Sequence, residues 1–329
     1  MKLILAALLT LAFFAPGAAE AFYAFKRDPN LDWAAEHRLG ADVRNLMWEL
    51  QVDNAARCGE EVVGQTGIQL ALGKPRWDSL EAFYEGQGWS YGNTIIQIAA
   101  GSPAEDAGLR VGDVVTRVDG KRIKLRKDDE DAIENQERLQ NAEKRRESFV
   151  VEFERNGESQ SATLVPVKVC DVRPRPLHVH YVTDQRFKPN EALLPPEYVA
   201  QLSDTASLRV LVAHEFAHHA AGHYRRRNAL GFAGVVADTV TAGATTGLIA
   251  GAINLAKADE DELEADRLAF EILQAQGIEL DTILSVWGRV EQLTAGRRFD
   301  NPLAHPVTPE RLSRLRALSA DTTASTIAP

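Results

Sequence analysis

The sequence predicts an α+β protein in which a small unit of mixed strands and helices precedes a mostly helical unit. Two observations predict this order. Residues 95–123 and 149–167 combine short apolar runs with glycine-containing turns, which is typical of strands. Residues 210–221 and 259–273 instead carry apolar residues at helical spacing. With 329 residues, the chain is long enough to build two separate cores.

The overall composition narrows the classes of partner. Hydrophobic residues make up 45% and charged residues 26% of the chain, which is ordinary for a soluble globular protein. The net charge of -10 at pH 7 argues against nucleic acid and anionic lipid as general partners, because both are polyanions. We therefore expect no nucleic acid partner.

The first residues have the pattern of an export signal. Lys2 precedes the apolar run Leu3–Ala15, and Ala19-Glu20-Ala21 offers a small-x-small cleavage site. A retained anchor is the alternative, but the apolar run is shorter than the roughly 20 residues that span a bilayer. No cysteine stands at the predicted junction, so we do not expect a lipoprotein anchor.

The chain then divides into predicted segments. A helical lead-in is expected because Val43, Leu46, Met47 and Leu50 recur at helical spacing. The predicted segments are an export signal at 1–21, the lead-in at 22–60, the mixed unit at 61–170, the helical unit at 171–318 and a disordered tail at 319–329.

The mixed unit is similar to a bacterial PDZ domain. An apolar strand leads into Gly101-Ser102-Pro103, a short helix ends at Gly108, and a second strand runs to the turn at Asp119-Gly120. Residues 73–93 look like an insertion, and residues 124–148 form a long charged helix in place of the usual groove-lining helix. The resemblance implies a carboxylate-binding loop and binding strand, where a peptide end would add as a strand, at Gly67, Ile68, Gln69 and Leu70.

The two cysteines bracket this unit. Cys58 and Cys170 would meet if the first and last strands are neighbours, and an exported chain permits oxidation. A disulfide is favoured, with free thiols as the alternative.

A metal-binding pattern lies in the second unit, in L-V-A-H-E-F-A-H-H-A-A-G-H at 211–223. On a helix, His214 and His218 stand one turn apart on the same face, which suits two imidazoles on one zinc ion. Glu215 between them is placed to act as general base toward a water. His223 does not have the spacing of a third metzincin ligand, so it is expected to be an outer-sphere or surface group.

The third ligand is expected in the helical pattern at 259–273. Glu262 lies on the apolar stripe that includes Ala265 and Ala269, whereas Glu264 falls on the solvent side. A carboxylate that faces a core needs compensation, and a metal ion provides it.

The motifs H-E-F-A-H, E-L-E-A-D and H-P-V-T-P-E-R together resemble family 48 of the metallopeptidases, zinc gluzincins that include HtpX-like and BepA-like members. The resemblance implies one Zn²⁺ per chain, with His214, His218 and Glu262 as ligands and Glu215 as base. It also implies that Asp266 orients a ligand histidine.

The resemblance extends to a late motif, in which His305 takes the open metal position or assists the transition state, with Arg311 nearby. The chain departs from the family pattern at 189–196, where P-N-E-A-L-L-P-P replaces the usual N-A-x-x-x-P-G-G stretch. Because of this departure, the substrate-pairing edge strand of the family is expected to be shortened or replaced here.

Residues 229–256 are apolar but rich in glycine and threonine, so a lid over the cleft is favoured, with peripheral membrane contact as the alternative.

The function expected from these features is a zinc-dependent endopeptidase exported to the periplasm of a Gram-negative bacterium. Its partners would be protein or peptide substrates, among them misfolded envelope proteins, recruited by the PDZ-like unit for envelope quality control. The alternative is a PDZ-based peptide-binding or chaperone-like protein with a latent or structural metal site.

Overall fold

The structure is a computed structural model. It describes residues 32–71, 78–124, 129–145, 147–174, 191–192, 194, 201–223, 225–226, 248–294 and 307–326. The predicted export signal, His305, the stretch 189–196 apart from 191–192 and 194, and the greater part of the predicted lid at 229–256 lie outside the described residues.

The first helix, α1, spans Trp33–Asp53. Asp32 caps its N-terminus by accepting hydrogen bonds from the backbone amides of Ala34 and Ala35, each at 3.0 Å. Its apolar face, with Val43, Met47 and Leu50, is buried in the core of the helical unit. The predicted lead-in is therefore helical, and it packs mainly against the helix Thr205–Ala220, which lies about 150 residues later in the sequence.

The described residues of the mixed unit form short antiparallel strands and three helices. Their bounds are β1 Val62–Gln65, β2 Ile68–Leu70, α2 Asp78–Gln87, β3 Ile95–Ile98, α3 Pro103–Asp106, β4 Val114–Val118, β5 Lys121–Arg122, α4 Asp129–Arg145, β6 Phe149–Arg155, β7 Glu158–Leu164 and β8 Val167–Cys170. Strand β1 pairs with β8, β2 pairs with β3, and the other four strands form a sheet in the order β5-β4-β6-β7.

The turns of this unit follow the sequence. Asn156 and Gly157 both have positive φ angles, 54° and 80°, as a two-residue hairpin turn of this kind requires. The strands on either side of this turn, β6 and β7, pair over their full lengths, from Phe149 opposite Leu164 to Arg155 opposite Glu158. The predicted insertion at 73–93 contains helix α2, whose Leu80 and Tyr84 form a small separate cluster.

The described residues of the helical unit form four helices and one very short parallel pair of strands. Their bounds are β9 Arg173–Pro174, β10 Glu191–Ala192, α5 Thr205–Ala220, α6 Leu248–Ala275, α7 Leu280–Thr294 and α8 Pro309–Thr326. Helix α5 is buried almost continuously from Ser207 to His219, so it is a central helix with no solvent-facing side over that stretch. This differs from the amphipathic helix that the spacing of apolar residues suggests.

Two helices extend beyond their expected limits. Helix α6 begins at Leu248, so residues 248–256 of the predicted lid continue directly into the helix that carries Glu262. Helix α8 continues to Thr326, beyond residue 319 where the sequence suggests a disordered tail. No glycine or proline interrupts the chain between Pro309 and Pro329, which explains why the helix is not stopped earlier.

Cys58 and Cys170 form a disulfide, which confirms the favoured pairing. It joins the turn after α1 to the last strand of the mixed unit. Beside it, the Gln51 side chain donates hydrogen bonds to the carbonyl oxygens of Cys170 and Val172. Among the helices of the described residues, none combines the length and apolarity needed to cross a bilayer.

Candidate metal centre

Helix α5 places two histidines side by side in the core. Its N-terminus is fixed by Asp204, whose carboxylate accepts hydrogen bonds from the backbone amide of Ser207 at 2.9 Å and from its hydroxyl at 2.6 Å. Three turns of helix later, the Nε2 atoms of His214 and His218 lie 3.1 Å apart. Both side chains are almost completely buried, and the short distance between their Nε2 atoms shows that the two rings face a common point.

Glu262 on helix α6 completes a group of three donors. Its Oε2 lies 3.3 Å from Nε2 of His214, and its Oε1 lies 3.4 Å from Nε2 of His218. Buried alanines on both helices, among them Ala217 and Ala265, allow the two backbones to approach closely. The sequence expectation that these three residues converge agrees with this geometry.

The donor set and its spacing fit a zinc ion. Zinc takes imidazole nitrogen and carboxylate oxygen at about 2.0 to 2.1 Å, and tetrahedral bonds of that length separate neighbouring ligand atoms by about 3.3 Å. Here the two Nε2 atoms lie 3.1 Å apart, and each lies 3.3 or 3.4 Å from a different oxygen of Glu262, so the separations are of the size that a shared ion requires. The cluster is one of two groups of metal-binding side chains among the described residues.

Asp266 and Arg311 surround this group. Nδ1 of His214 lies 3.1 Å from Oδ1 of Asp266. Arg311 binds Asp266 through two hydrogen bonds, from Nε at 2.5 Å and from Nη2 at 2.8 Å, and its Nη1 lies 3.1 Å from Oε2 of Glu262. The guanidinium also lies 4.8 Å from the centre of the Trp287 ring, which is an edge-on neighbour of His214. One cation therefore holds two carboxylates in place.

The electrostatics of the centre favour positive charge. Burial lowers the pKa of His214, but hydrogen bonds with Asp266 and Glu262 outweigh burial and raise it to about 9. Burial raises the pKa of Asp266, and the hydrogen bonds from Arg311 more than offset this, so that the pKa is lowered. The carboxylates that favour a proton on His214 equally favour a metal cation at that place.

Glu215 is buried at 3% exposure and follows His214 directly in α5. Burial lowers the pKa of Arg311, but the carboxylates around it raise the pKa above its ordinary value. Asp266 has the strongest raising effect, Glu262 follows, and the negative charge of Glu215 adds a smaller one. Glu215 thus belongs to the same electrostatic cluster as the three donors.

A second layer of side chains lies beside His218, and sequence reasoning foresaw its His223 but missed its Glu264. Nδ1 of His218 lies 2.7 Å from Nδ1 of His223, and Nε2 of His223 lies 3.1 Å from Oε2 of Glu264. His223 is completely buried, so its expected outer-sphere role agrees with the structure and a surface position does not. Glu264 was expected to be only a solvent-side residue. The five-residue spacing from His218 to His223 gives no helical signal, because helix α5 ends at Ala220.

The predicted peptide-binding residues lie where β1 turns into β2. Gly67 has a positive φ of 81°, and a Cβ there would lie 2.4 Å from Cβ of Ser102. Ile68, Gln69 and Leu70 form β2 and pair with β3 on one side. Just before them, Thr66 donates from its backbone amide at 3.0 Å and from its hydroxyl at 2.6 Å to Oε1 of Glu143, a residue of α4.

The geometry defines the class of protein. It has the parts of a zinc metallopeptidase centre: two histidines one turn apart, a glutamate directly after the first of them, and a carboxylate from a later helix as the third donor. Comparison with protein-family models agrees. Residues 194–319 match Peptidase family M48, and residues 94–152 match the PDZ domain. Over residues 194–319 the chain thus matches a family of zinc metallopeptidases, which are hydrolases that act on peptide bonds.

Two solved structures similar to this chain come from HtrA proteins. The HtrA3 PDZ domain bound to a phage-derived ligand is 20% identical, with 33% of this chain and 88% of that chain covered and a TM-score of 0.24. An HtrA-type protease, AlgW, with a decapeptide is 17% identical, with 35% of this chain and 32% of that chain covered and a TM-score of 0.24. A search of the curated proteins gave no match.

Proposed function

We propose that this protein is an exported zinc-dependent endopeptidase in which His214, His218 and Glu262 hold one Zn²⁺ and Glu215 is the general base. The observation that carries the proposal is the convergence of three buried donor side chains from two helices, with both carboxylate oxygens of Glu262 facing the two Nε2 atoms. Burying Glu262 and Asp266 beside each other is costly unless positive charge compensates them, and Arg311 together with a divalent cation does so.

A zinc ion in this centre supplies Lewis acidity, which polarises the scissile carbonyl and lowers the pKa of water. Glu215 accepts the proton of the attacking water and returns it to the leaving amine. Asp266 accepts the Nδ1 proton of His214, which leaves the Nε2 lone pair of that ring directed toward Glu262. Arg311 holds Asp266 and Glu262 together, so it fixes both the ring and the carboxylate.

His305 has a place in this proposal through the late motif only. We assign it either to the open position beside the donors or to stabilisation of the oxyanion. A His305→Ala variant distinguishes the two roles, since loss of a blocking group raises kcat/KM and loss of an oxyanion donor lowers kcat.

The PDZ domain is assigned to the presentation of substrate segments to the peptidase domain. Strand β2 pairs with β3 along one edge, and its other edge is where an extended peptide would add as a strand. Because Glu143 engages the amide and hydroxyl of Thr66, a free chain end approaching this loop meets a carboxylate that is already bound there. The sequence-based expectation of chain-end capture therefore depends on the displacement of Glu143.

Export to the periplasm and a role in envelope protein quality control complete the proposal. The pattern of residues 1–21 supports export, and so does the Cys58–Cys170 disulfide, because disulfides persist in oxidising compartments. Misfolded envelope proteins are the proposed substrates, since extended segments of such chains suit both strand addition and an endopeptidase cleft.

The experiment compares unfolded casein digestion by wild type and by Glu215→Gln, with zinc content measured in parallel. Glu279→Gln is the matched control, because Glu279 is an exposed glutamate outside the centre. We expect Glu215→Gln to bind zinc but to lose activity by at least about 100-fold, as is typical when a general base is removed. Equal activity of wild type and Glu215→Gln contradicts the assignment, and zinc binding without hydrolysis in wild type supports the chaperone-like alternative.

A further inference from the structure

The side chains beside His218 form a continuous chain that leads from the metal centre to the protein surface. His218 contacts His223 through the two Nδ1 atoms at 2.7 Å, and His223 contacts Glu264 through Nε2 and Oε2 at 3.1 Å. The two imidazoles are completely buried, whereas the Glu264 side chain is 47% exposed. We propose that His223 and Glu264 are positioning residues that fix the tautomer and ring orientation of His218 and thereby set the affinity for zinc. This inference rests on the proposed function.

The contact between the two Nδ1 atoms holds a single proton. A hydrogen bond of 2.7 Å between imidazole nitrogens requires that one of them donates and the other accepts. If Nδ1 of His218 carries the proton, Nε2 of the same neutral ring has a lone pair. That lone pair faces His214 and Glu262, at 3.1 and 3.4 Å, as a metal ligand must.

The proton on Nδ1 of His218 then fixes the position of the proton on His223. Nδ1 of His223 accepts the proton from His218, so the neutral His223 ring carries its own proton on Nε2. That N–H donates to Glu264 at 3.1 Å in preference to Asp261, whose nearest oxygen is 3.7 Å away. Every ring is neutral and every nitrogen has a partner when His218 is a ligand.

The opposite proton arrangement would make this cluster a second metal site. His223, Asp261 and Glu264 have the residue types for one and lie close enough together. A metal on Nε2 of His223 would place the proton of that ring on Nδ1, so Nδ1 of His218 would accept and Nε2 of His218 would carry a proton. With neutral rings, the two centres therefore exclude each other. Arg226 also binds Asp261 at 2.9 Å and approaches Glu264 at 3.4 Å, which opposes a second cation.

The two histidine ligands are thus supported differently. His214 is held by Asp266, which is itself held by the buried Arg311. His218 is held through a neutral ring by a partly exposed acid. Loss of an outer-sphere partner of a ligand commonly costs about 10- to 100-fold in metal affinity. Because Glu264 is partly exposed, it can be changed with little effect on the core.

The test measures zinc dissociation constants of the full chain by competition with a chromophoric chelator, and the absorption spectrum of the cobalt-substituted protein. His223→Phe keeps a ring but removes the acceptor, whereas His223→Asn returns an acceptor oxygen near the position of Nδ1. We expect His223→Phe to weaken zinc binding about 10- to 100-fold and to change the cobalt spectrum, and His223→Asn to restore most of the affinity.

Glu264 provides a second arm if His223→Phe does not fold. Glu264→Met removes the acceptor and should weaken zinc binding severalfold, whereas Glu264→Gln keeps an acceptor oxygen and should remain close to wild type. Glu260→Gln, an exposed acid on the same helix, is the control.

The outcomes separate this inference from the proposed function. Wild-type zinc affinity in both His223→Phe and Glu264→Met overturns the positioning role while the peptidase assignment stands. Two zinc ions in wild type, with loss of only one in His223→Phe, also overturns it. Absence of zinc binding in wild type contradicts the proposed function itself.

Discussion

Replacing Arg311 by methionine should destabilise the metal-free protein by about 3 to 5 kcal/mol, the usual cost of removing one partner from a buried ion pair. Arg311 is only 4% exposed, and its nitrogens lie 2.5 and 2.8 Å from Asp266 and 3.1 Å from Glu262. At an effective dielectric constant of about 20, unit charges about 3 Å apart attract by about 5 kcal/mol. Desolvation offsets part of this attraction in wild type, but the variant leaves both carboxylates buried without the guanidinium.

Chemical denaturation and thermal unfolding in the presence of a chelator measure this change. For domains of about 150 to 250 residues, about 3 to 5 kcal/mol corresponds to a fall in Tm of about 10 °C. The control is Arg314→Met, because Arg314 forms an exposed pair with Glu310 at 2.8 Å on the same helix and should cost less than about 1 kcal/mol. If Arg311→Met unfolds at the same denaturant concentration as Arg314→Met, the carboxylates do not depend on the guanidinium and the reasoning is refuted.

Three further predictions concern other parts of the chain. Replacing both Cys58 and Cys170 by alanine should lower the free energy of unfolding by up to about 5 kcal/mol, because the closed loop spans a sequence separation of 112; denaturation with and without reductant measures it. The Glu143→Gln variant should bind a peptide with a free carboxyl terminus more tightly, relative to the amidated peptide, because the side chain at position 143 no longer carries a negative charge. Fluorescence anisotropy measures both affinities, and an unchanged ratio contradicts the role of Glu143. Hydrogen bonds from Ser207 lower the pKa of Asp204 below its ordinary value, so its stabilisation of α5 is present at neutral pH and is lost as the pH falls from about 4 through the lowered pKa. Asp204→Asn should therefore show a smaller fall of Tm at acid pH, and an acid limb as steep as in wild type argues against this linkage.

Local sequence patterns were sufficient for the parts of the centre that one helix positions. His214 and His218 face the same way because four residues make about one helical turn, whatever the helix packs against. The Asn156-Gly157 hairpin and the strand order around Gly101 likewise depend on turn chemistry within a few residues. The apolar stripe indicated Glu262, the family resemblance agreed and added Asp266 and Arg311, and the structure places all three around His214.

Local sequence patterns could not predict the features that depend on how distant segments pack against each other. The lead-in helix α1 gives no indication in its own residues that Val43 and Leu50 belong to the core of the helical unit. The apolar stripe predicted that Glu264 faces solvent, and its side chain is indeed partly exposed. Its contact with His223 arises because the chain turns after Ala220 and brings a buried ring to the side of α6.

The local order of atoms along the chain, through helical pitch and turn geometry, was enough to foresee two imidazoles and an acid beside a metal. The partners of those groups were not foreseeable in the same way, because hydrogen bonds across more than 40 residues, such as His223 to Glu264 or Thr66 to Glu143, depend on the relative placement of whole elements. Burial then gives these contacts their strength, since a polar group removed from water must find its partner inside the protein.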